Sequence, residues 1–179
     1  MSNSLPAHID AAAHADRGVS LRGSLPVAGF HRLAEWLAGT EGTLAFKLDF
    51  GRDEQGRRRL AGHASGELEL LCERCGHEYR MPLDLRFELI LVASEAEADL
   101  LPEALDAVTI GDRRSVHIVD LLEDELILAV PLVPRCEDVR PCRPAVELLD
   151  SAEALREHEE GARQHPFAAL AGQKGPKKQ

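Results

Sequence analysis

Residues 79–91, YRMPLDLRFELIL, carry a large apolar or aromatic side chain at every odd-numbered position, whereas Arg80, Asp84 and Arg86 are charged. Successive side chains of a β-strand point to opposite faces of the sheet, so this alternation is typical of a long strand with one buried face and one wet face. A strand of this kind needs neighbours on its edges. The residues on either side of it therefore have to supply the rest of a sheet.

The preceding residues supply a hairpin. Between residues 43 and 50 the apolar side chains again recur at every second position, a polar turn follows at residues 51–56, and leucines return at positions 60, 68 and 70. Gly62 and Gly66 interrupt the second strand, which indicates a bulge or a sharp bend of the kind a curled sheet needs. The predicted fold class is α+β, with a long-stranded, curled, barrel-like antiparallel sheet packed with a few helices.

Helical periodicity appears in four other segments. Residues 27–38 and 117–130 carry apolar residues at helical spacing, and residues 94–101 begin with Ser and Glu in capping-box relation. A second acidic helix is predicted at residues 145–160, beyond Pro144. We expect Trp36, which lies within the first of these helices, to be a core residue, because aromatic side chains at helical spacing most often pack inward.

The chain divides into three parts by composition. Residues 1–18 are predicted to be a flexible leader, residues 19–149 a single α+β domain, and residues 150–179 a C-terminal helix with a basic disordered tail. The N-terminal residues lack the basic start and apolar run of a secretory signal, and no window is apolar enough to span a membrane. We therefore expect a cytoplasmic protein without membrane contact, with reduced cysteines.

The charge is negative and unevenly spread. The chain has 31 acidic and 21 basic residues, a formal net charge of −10, which argues against a broad cationic surface for nucleic acid. The acidic residues Asp120, Glu123 and Asp124, predicted on the wet face of the helix at 117–130, are candidates for binding a basic partner. The alternative is that these acidic residues only keep the protein soluble and bind nothing. The candidates for nucleic-acid contact are Arg57, Arg58 and Arg59 in the hairpin.

Four cysteines form a candidate metal site. Cys72 and Cys75 belong to a Cys-x-x-Cys-Gly turn between two strands, and Cys136 and Cys142 follow the long helix. Two thiolate pairs suit a closed tetrahedral zinc site that would staple the sheet to the far end of the fold. The wider spacing of the second pair argues against this site, and ordinary reduced cysteines are one alternative. A redox pair at Cys72 and Cys75 is another, but it would require a helix where a strand pattern follows.

The familiar catalytic motifs are missing. The sequence has no phosphate-binding Gly-rich loop with Lys, no Gly-x-Ser-x-Gly elbow and no His-Glu-x-x-His pair. We therefore expect a protein that is not an enzyme and has no small-molecule substrate.

Several motifs together resemble a known family. The Cys-x-Arg-Cys turn at residues 72–75 is followed by an alternating strand, the acidic segment SEAEADLLPEAL at 94–105, the helix VDLLEDELILAVPLVPRC at 119–136 and a last cysteine in RPC at 140–142. HPFAAL at 165–170 resembles a terminal motif of the same family. These motifs resemble the YceD proteins, the large ribosomal RNA subunit accumulation family.

The resemblance implies a non-enzymatic factor that supports synthesis, processing or stability of the large-subunit ribosomal RNA. It also implies, as partner, a precursor of the large ribosomal subunit. The acidic segments repel phosphate and attract basic protein tails, so we expect contact through a basic ribosomal protein first and direct contact with ribosomal RNA second. Without the resemblance two functions remain in view: a zinc-stapled acidic adaptor that binds other proteins, and a thiol oxidoreductase that uses Cys72.

Overall fold

The computed structural model describes residues 5–111 and 115–137. Its strands are β1 His8–Asp10, β2 Ser20–Pro26, β3 Thr43–Arg52, β4 Arg58–Leu71, β5 Glu78–Val92, β6 Asp106–Thr109 and β7 Ser115–His117. Its helices are α1 Ala11–Arg17, α2 His31–Ala34, α3 Glu95–Ala98 and α4 Ile118–Ala129, with a 3-10 turn at Val27–Gly29. The predicted α+β class, with a mostly sheet core and few helices, is confirmed.

The main sheet has five strands in the order β2-β3-β4-β5-β6. Neighbours from β2 to β5 are antiparallel, whereas β6 runs parallel to β5. A barrel would require the first and last strands of this order to pair, and β2 and β6 do not. The barrel-like closure and the purely antiparallel arrangement predicted from the sequence are therefore wrong: the sheet is open and mixed.

The glycines of β4 have a different role from the predicted bulge. β4 pairs without a break with β3 and with β5, so no residue is inserted between the strands. A Cβ at Gly62 would lie 2.0 Å from Cζ of Phe87, and one at Gly66 would lie 2.6 Å from Cδ2 of Leu44. Both glycines thus make room for a neighbouring side chain, and Gly66 also has a positive φ of 154° that other residues rarely adopt.

The core lies between one face of this sheet and α4. Fully buried leucines of β3 and β4 share a cluster with Leu122 and Leu126 of α4. The helix predicted over residues 117–130 is confirmed, and it ends just before Pro131, which cannot continue the ladder of hydrogen bonds. α3 also begins as predicted, because the Ser94 hydroxyl accepts a hydrogen bond from the Glu97 N–H and the Glu97 carboxylate accepts one from the Ala93 N–H.

The helix predicted over residues 27–38 is divided. The 3-10 turn at Val27–Gly29 comes first and the short helix α2 follows, and Phe30 between them is buried completely. Trp36 lies beyond the end of α2 and its side chain is 59% exposed, so the prediction that it belongs to the core is wrong. The apolar spacing could not show that the chain turns at Phe30, which moves the later residues off the buried face.

Residues 5–18 are part of the fold, in contrast to the flexible leader expected for residues 1–18. β1 pairs with β7, and α1 begins at an Asp10 cap and ends at Gly18 in the left-handed conformation. Ala11, Ala12 and Ala15 of α1 are buried. Alanine permits this close approach of helix to sheet, but an alanine-rich stretch has too weak a hydrophobic periodicity to reveal it in the sequence.

The C-terminal predictions, the acidic helix at 145–160 and the basic tail within 150–179, lie outside the described residues. In the part of the chain that the structure does describe, no helix is long and apolar enough to cross a membrane.

Candidate functional site

The turn between β4 and β5 presents two cysteine thiols to the same point. The Gly76 N–H donates to the carbonyl of Cys72 over 2.8 Å, and the Cys72 N–H donates to the carbonyl of His77 over 2.9 Å. Gly76 supports this tight turn with a φ of 72°, a conformation that glycine adopts at no steric cost. Cys72 and Cys75 are both buried, which is unusual for a turn and reflects what packs over them.

The chain beyond α4 brings a third thiol to this turn. The Sγ atoms of Cys72, Cys75 and Cys136 all lie within 4.8 Å of one another, and those of Cys75 and Cys136 are 3.9 Å apart. Four sulfurs bound to zinc at ~2.3 Å in a tetrahedron are about 3.8 Å from each other, whereas a disulfide requires about 2.05 Å. The three thiols, none of which is in a disulfide, therefore fit three corners of a metal site. The predicted fourth ligand, Cys142, lies outside the described residues.

Hydrogen bonds hold the β4–β5 turn and the segment beyond α4 together. The Glu73 N–H donates to the Pro134 carbonyl over 2.9 Å, and the Arg74 guanidinium donates to the Cys136 carbonyl over 3.2 Å. The Cys136 N–H in turn points at Sγ of Cys72, 3.4 Å away. Hydrogen bonds of this kind orient metal-binding groups and stabilise their charged form.

These contacts favour the thiolate form of Cys72. Its pKa is lowered to about 6, mainly by the hydrogen bond from the Cys136 N–H and further by those from the N–H groups of Arg74 and Cys75, against the opposing effect of burial. A thiolate is the form that binds a metal ion. The arrangement can hold a metal through Cys72, Cys75 and Cys136, and it differs from a redox site because Cys72 follows a strand instead of beginning a helix.

The acidic face of α4 differs from the prediction. Glu123 was expected on the wet face, but it is only 4% exposed. Its carboxylate accepts hydrogen bonds from the N–H of Arg32 over 2.6 Å and of Leu33 over 3.1 Å, and from Nε of Arg32 over 2.8 Å. Glu123 therefore joins α4 to α2 and does not face a partner.

The other two acidic candidates are exposed. Oδ1 of Asp124 lies 2.7 Å from Nη1 of Arg32, and Oδ1 of Asp120 lies 2.8 Å from Nδ1 of His117. Sequence reasoning missed Arg32, which pairs with both Glu123 and Asp124 of α4. No local signal identifies it, because it lies far away in the sequence and only the fold brings it here.

The three arginines of the hairpin also have partners. Arg57 pairs with Asp53 at 2.6 Å, Arg58 with Asp16 at 2.9 Å, and Arg59 with Glu88 at 3.4 Å. The pKa of Asp16 is lowered by its hydrogen bond with Arg58 and by the nearby Arg52. The basic patch predicted from the sequence is thus largely neutralised by carboxylates, two of which come from distant segments.

A second feature that the sequence analysis missed is apolar. Leu128, Leu132 and Val133 lie at and beyond the end of α4 and are 80%, 93% and 52% exposed. The signal was present in ELILAVPLV at residues 125–133, which has more apolar residues than one buried stripe of a helix can use.

Comparison with known proteins identifies the family. A family model described as "Large ribosomal RNA subunit accumulation protein YceD" matches residues 60–174, which is more than half of the chain. This chain belongs to the YceD family. A relative from Haemophilus influenzae with that same name is 28% identical over 170 residues, which cover 95% of this chain and 96% of the relative. No solved structure matches.

The segment that matches the YceD family model includes all four cysteines and α4. It begins at Leu60, directly after the arginines of the hairpin. The candidate metal site therefore belongs to the part of the chain that identifies the family, and the candidate nucleic-acid residues Arg57, Arg58 and Arg59 do not.

Proposed function

We propose that this protein is a non-enzymatic cytoplasmic factor that supports the synthesis, processing or stability of large-subunit ribosomal RNA during ribosome biogenesis. Membership of the YceD family carries this proposal, since the family's name refers to accumulation of that RNA. The open sheet with its exposed apolar and acidic surfaces is suited to binding another macromolecule.

The proposed partner is a precursor of the large subunit, contacted through a basic ribosomal protein in preference to bare RNA. The net charge of −10 attracts basic proteins and repels phosphate. The pairing of Arg57, Arg58 and Arg59 with carboxylates supports the same choice, because each arginine would have to give up its partner to bind a phosphate.

Deletion of the gene tests the role in cells. We expect the ratio of large-subunit to small-subunit ribosomal RNA to fall, most of all during growth in the cold, and to recover when the wild-type gene is restored. Quantitative RNA electrophoresis measures this ratio. An unchanged ratio in the deletion strain at every growth temperature would contradict the proposed function.

The salt dependence of binding to the purified precursor tests the mode of contact. Direct phosphate contacts give a steep loss of affinity with salt, by about one unit of slope for each contact. We expect Arg58→Glu to leave this slope unchanged, since Arg58 is already paired with Asp16. A flatter slope in the variant would show that Arg58 binds RNA.

We also propose that Cys72, Cys75 and Cys136, with Cys142 as the fourth ligand, bind one structural zinc ion. The distances between the three described sulfurs support this proposal, as does the lowered pKa of Cys72. The ion would tie the β4–β5 turn to the segment that follows α4.

Elemental analysis of purified, reduced protein should give about one zinc per chain. Cys136→Ser and Cys142→Ser should each lower the zinc content and the melting temperature, whereas Glu137→Gln, a change beside the site that spares the thiols, should keep both. Metal-free wild-type protein that melts at the same temperature with and without added zinc would rule out a structural role.

A further inference from the structure

A groove runs along the part of β5 whose outer edge is not paired with β6. Within the described residues, β6 covers the outer edge of β5 only at residues 89–92, while the inner edge is paired with β4 from residue 78 to residue 90. Pro82 has no N–H to offer and blunts the first part of the open edge. The part that follows, residues 83–88, presents backbone donors and acceptors to any strand placed alongside.

The groove along this edge is large enough for such a strand. Its volume is about 580 Å³, and it lies between β5, the residues just before β6, and the last turns of α4. Its apolar wall includes Leu85, Phe87, Leu105, Leu128 and Ala129. Leu128 is 80% exposed at its rim, an unfavourable position for a leucine unless something covers it.

The ring of Phe87, which forms part of the groove wall, has a fixed position. It lies across Gly62 of the neighbouring strand, in space that any other residue would fill with a Cβ. Leu85 and Phe87 lie on the same face of β5 as the buried Leu83 and Leu89, the face that α4 covers. The wall of the groove is therefore a continuation of the core that is open at one side.

The charge at the groove is negative on the side of α4. Glu125 and Asp106 line it, and the pKa of Glu125 is raised by burial and by the neighbouring carboxylates of Asp106 and Asp124. Glu88 also lines it and faces Arg59. Arg86 is the one basic residue among those that line the groove, and it extends from the wet face of β5, as Glu88 does, so three carboxylates face one described cation.

We propose that this groove binds an extended, basic segment of a partner protein, which adds a strand to residues 83–88 of β5. Apolar side chains of the segment would pack on Phe87 and Leu128, and a Lys or Arg between them would pair with Glu125 and Asp106. Strand addition at a free edge obtains affinity from the backbone and specificity from alternate side chains. This inference rests on the proposed function, because it states where a basic ribosomal protein would be held.

A labelled peptide that alternates lysine and valine, about eight residues long to match an ordinary strand, tests the site by fluorescence anisotropy with the full-length protein. We expect the wild type to bind this peptide, and we expect Glu125→Lys and Leu128→Glu each to weaken binding at least about tenfold. Glu125→Lys replaces an attractive charge with a repulsive one. Leu128→Glu puts a charge into the apolar wall. Equal affinity of both variants and the wild type would overturn the proposal.

Two matched controls separate the groove from general charge effects. Glu54→Lys and Leu100→Glu make the same two chemical changes at exposed positions that do not line the groove, and they should alter the affinity by less than about twofold. A version of the peptide with N-methyl groups along one edge should fail to bind. Binding of the N-methylated peptide as tight as that of the parent would show that no strand is added.

Two further measurements distinguish the remaining outcomes. If sedimentation shows a dimer of the wild type that Glu125→Lys dissociates, the groove belongs to a second copy of the chain and the proposal is overturned. Capture of large-subunit precursor from cells by the tagged wild type, but not by Glu125→Lys, supports the proposal. Equal capture by both overturns the site alone, and no capture by the wild type overturns the proposed function itself.

Discussion

Glu123 satisfies the start of one helix with the side chain of another. Its carboxylate accepts both free N–H groups of Arg32 and Leu33 at the first turn of α2 and also pairs with the guanidinium of Arg32. The N-cap residue of α2 is Phe30, which has no hydroxyl or carboxylate to accept a hydrogen bond from these N–H groups. The acidic residue of α4 therefore substitutes for a cap that the local sequence lacks.

We expect Glu123→Ala to lower the free energy of unfolding by about 3 kcal/mol, because it leaves buried N–H groups without an acceptor. Asp124→Ala removes the exposed partner of the same arginine and should cost less than about 1 kcal/mol. Urea unfolding measures both values. Losses of equal size would show that the contacts of Glu123 are no stronger than an ordinary surface pair.

The same carboxylate makes stability depend on pH. Burial by itself raises the pKa of Glu123, but the hydrogen bonds from Leu33 and Arg32 lower it more, so its pKa in the folded protein lies below the ordinary value of 4.5. Its stabilising contribution is therefore complete above about pH 4.5 and is lost as the pH falls through the lowered pKa. The stability difference between the wild type and Glu123→Gln should shrink over that range, and a constant difference would contradict this account.

The packing of β4 against β5 depends on Gly62 and Phe87, which face each other across the two strands. The ring of Phe87 occupies the space above Gly62, and a methyl group there would meet all the outer atoms of the ring. We expect Gly62→Ala to destabilise the protein by about 1–3 kcal/mol through overpacking, as measured by thermal or urea unfolding.

The control for this prediction is Gly51→Ala in β3, where a Cβ has nothing within 4 Å and the expected effect is small. Combining Gly62→Ala with Phe87→Ala should cost less than the two single changes together, because the clash is gone. Strict additivity would show that the contact of ring and glycine is unimportant.

The strands were predictable because period two is a property of local sequence. The alternation through residues 43–50 and 79–91 gave the hairpin and the long strand correctly. The parallel pairing of β6 could not be predicted, because the contact of Asp106 with Leu89 depends on the path of the chain between them. The bulge predicted at Gly62 was wrong for the same reason. In the sequence, a glycine that makes room for a neighbouring side chain cannot be distinguished from one that forms a bulge.

The candidate site was predictable to a similar extent. Cys-x-x-Cys-Gly is a local pattern, and it correctly indicated a turn with two thiols. The sequence also suggested Cys136, since cysteines are few. It could not reveal that Glu123 is buried against Leu33 or that Arg58 pairs with Asp16, because the two residues of each pair are far apart in the sequence. The sequence shows which residues are charged, but not which residues they pair with.

The N-terminal segment packs against the main sheet, and we expect the two to unfold together. Ala12 has no exposed surface and lies in α1, which packs on β3 and β4. We expect Ala12→Asp to destabilise the entire protein by about 3 kcal/mol or more, because an unpaired carboxylate would be buried. Circular dichroism during urea unfolding should show a single transition, shifted to lower urea.

Ala96→Asp in α3 is the matched control, since Ala96 is exposed and should tolerate the change with little effect. A flexible leader would give the same small effect for Ala12→Asp. Such a result would show that residues 5–18 do not contribute to the stability of the sheet.

The pairing of β1 with β7 also has a consequence for the order in which the protein can fold during synthesis. His8 is made early, but its partner His117 is made only after the whole five-stranded sheet. Until then β1 has no strand to join, and the side of the core that α1 and α4 cover together stays exposed to water. Closure of the N-terminal segment is therefore a late step with a high loop-closure entropy, and a nascent chain stalled before α4 would present an unfinished apolar surface to chaperones and proteases.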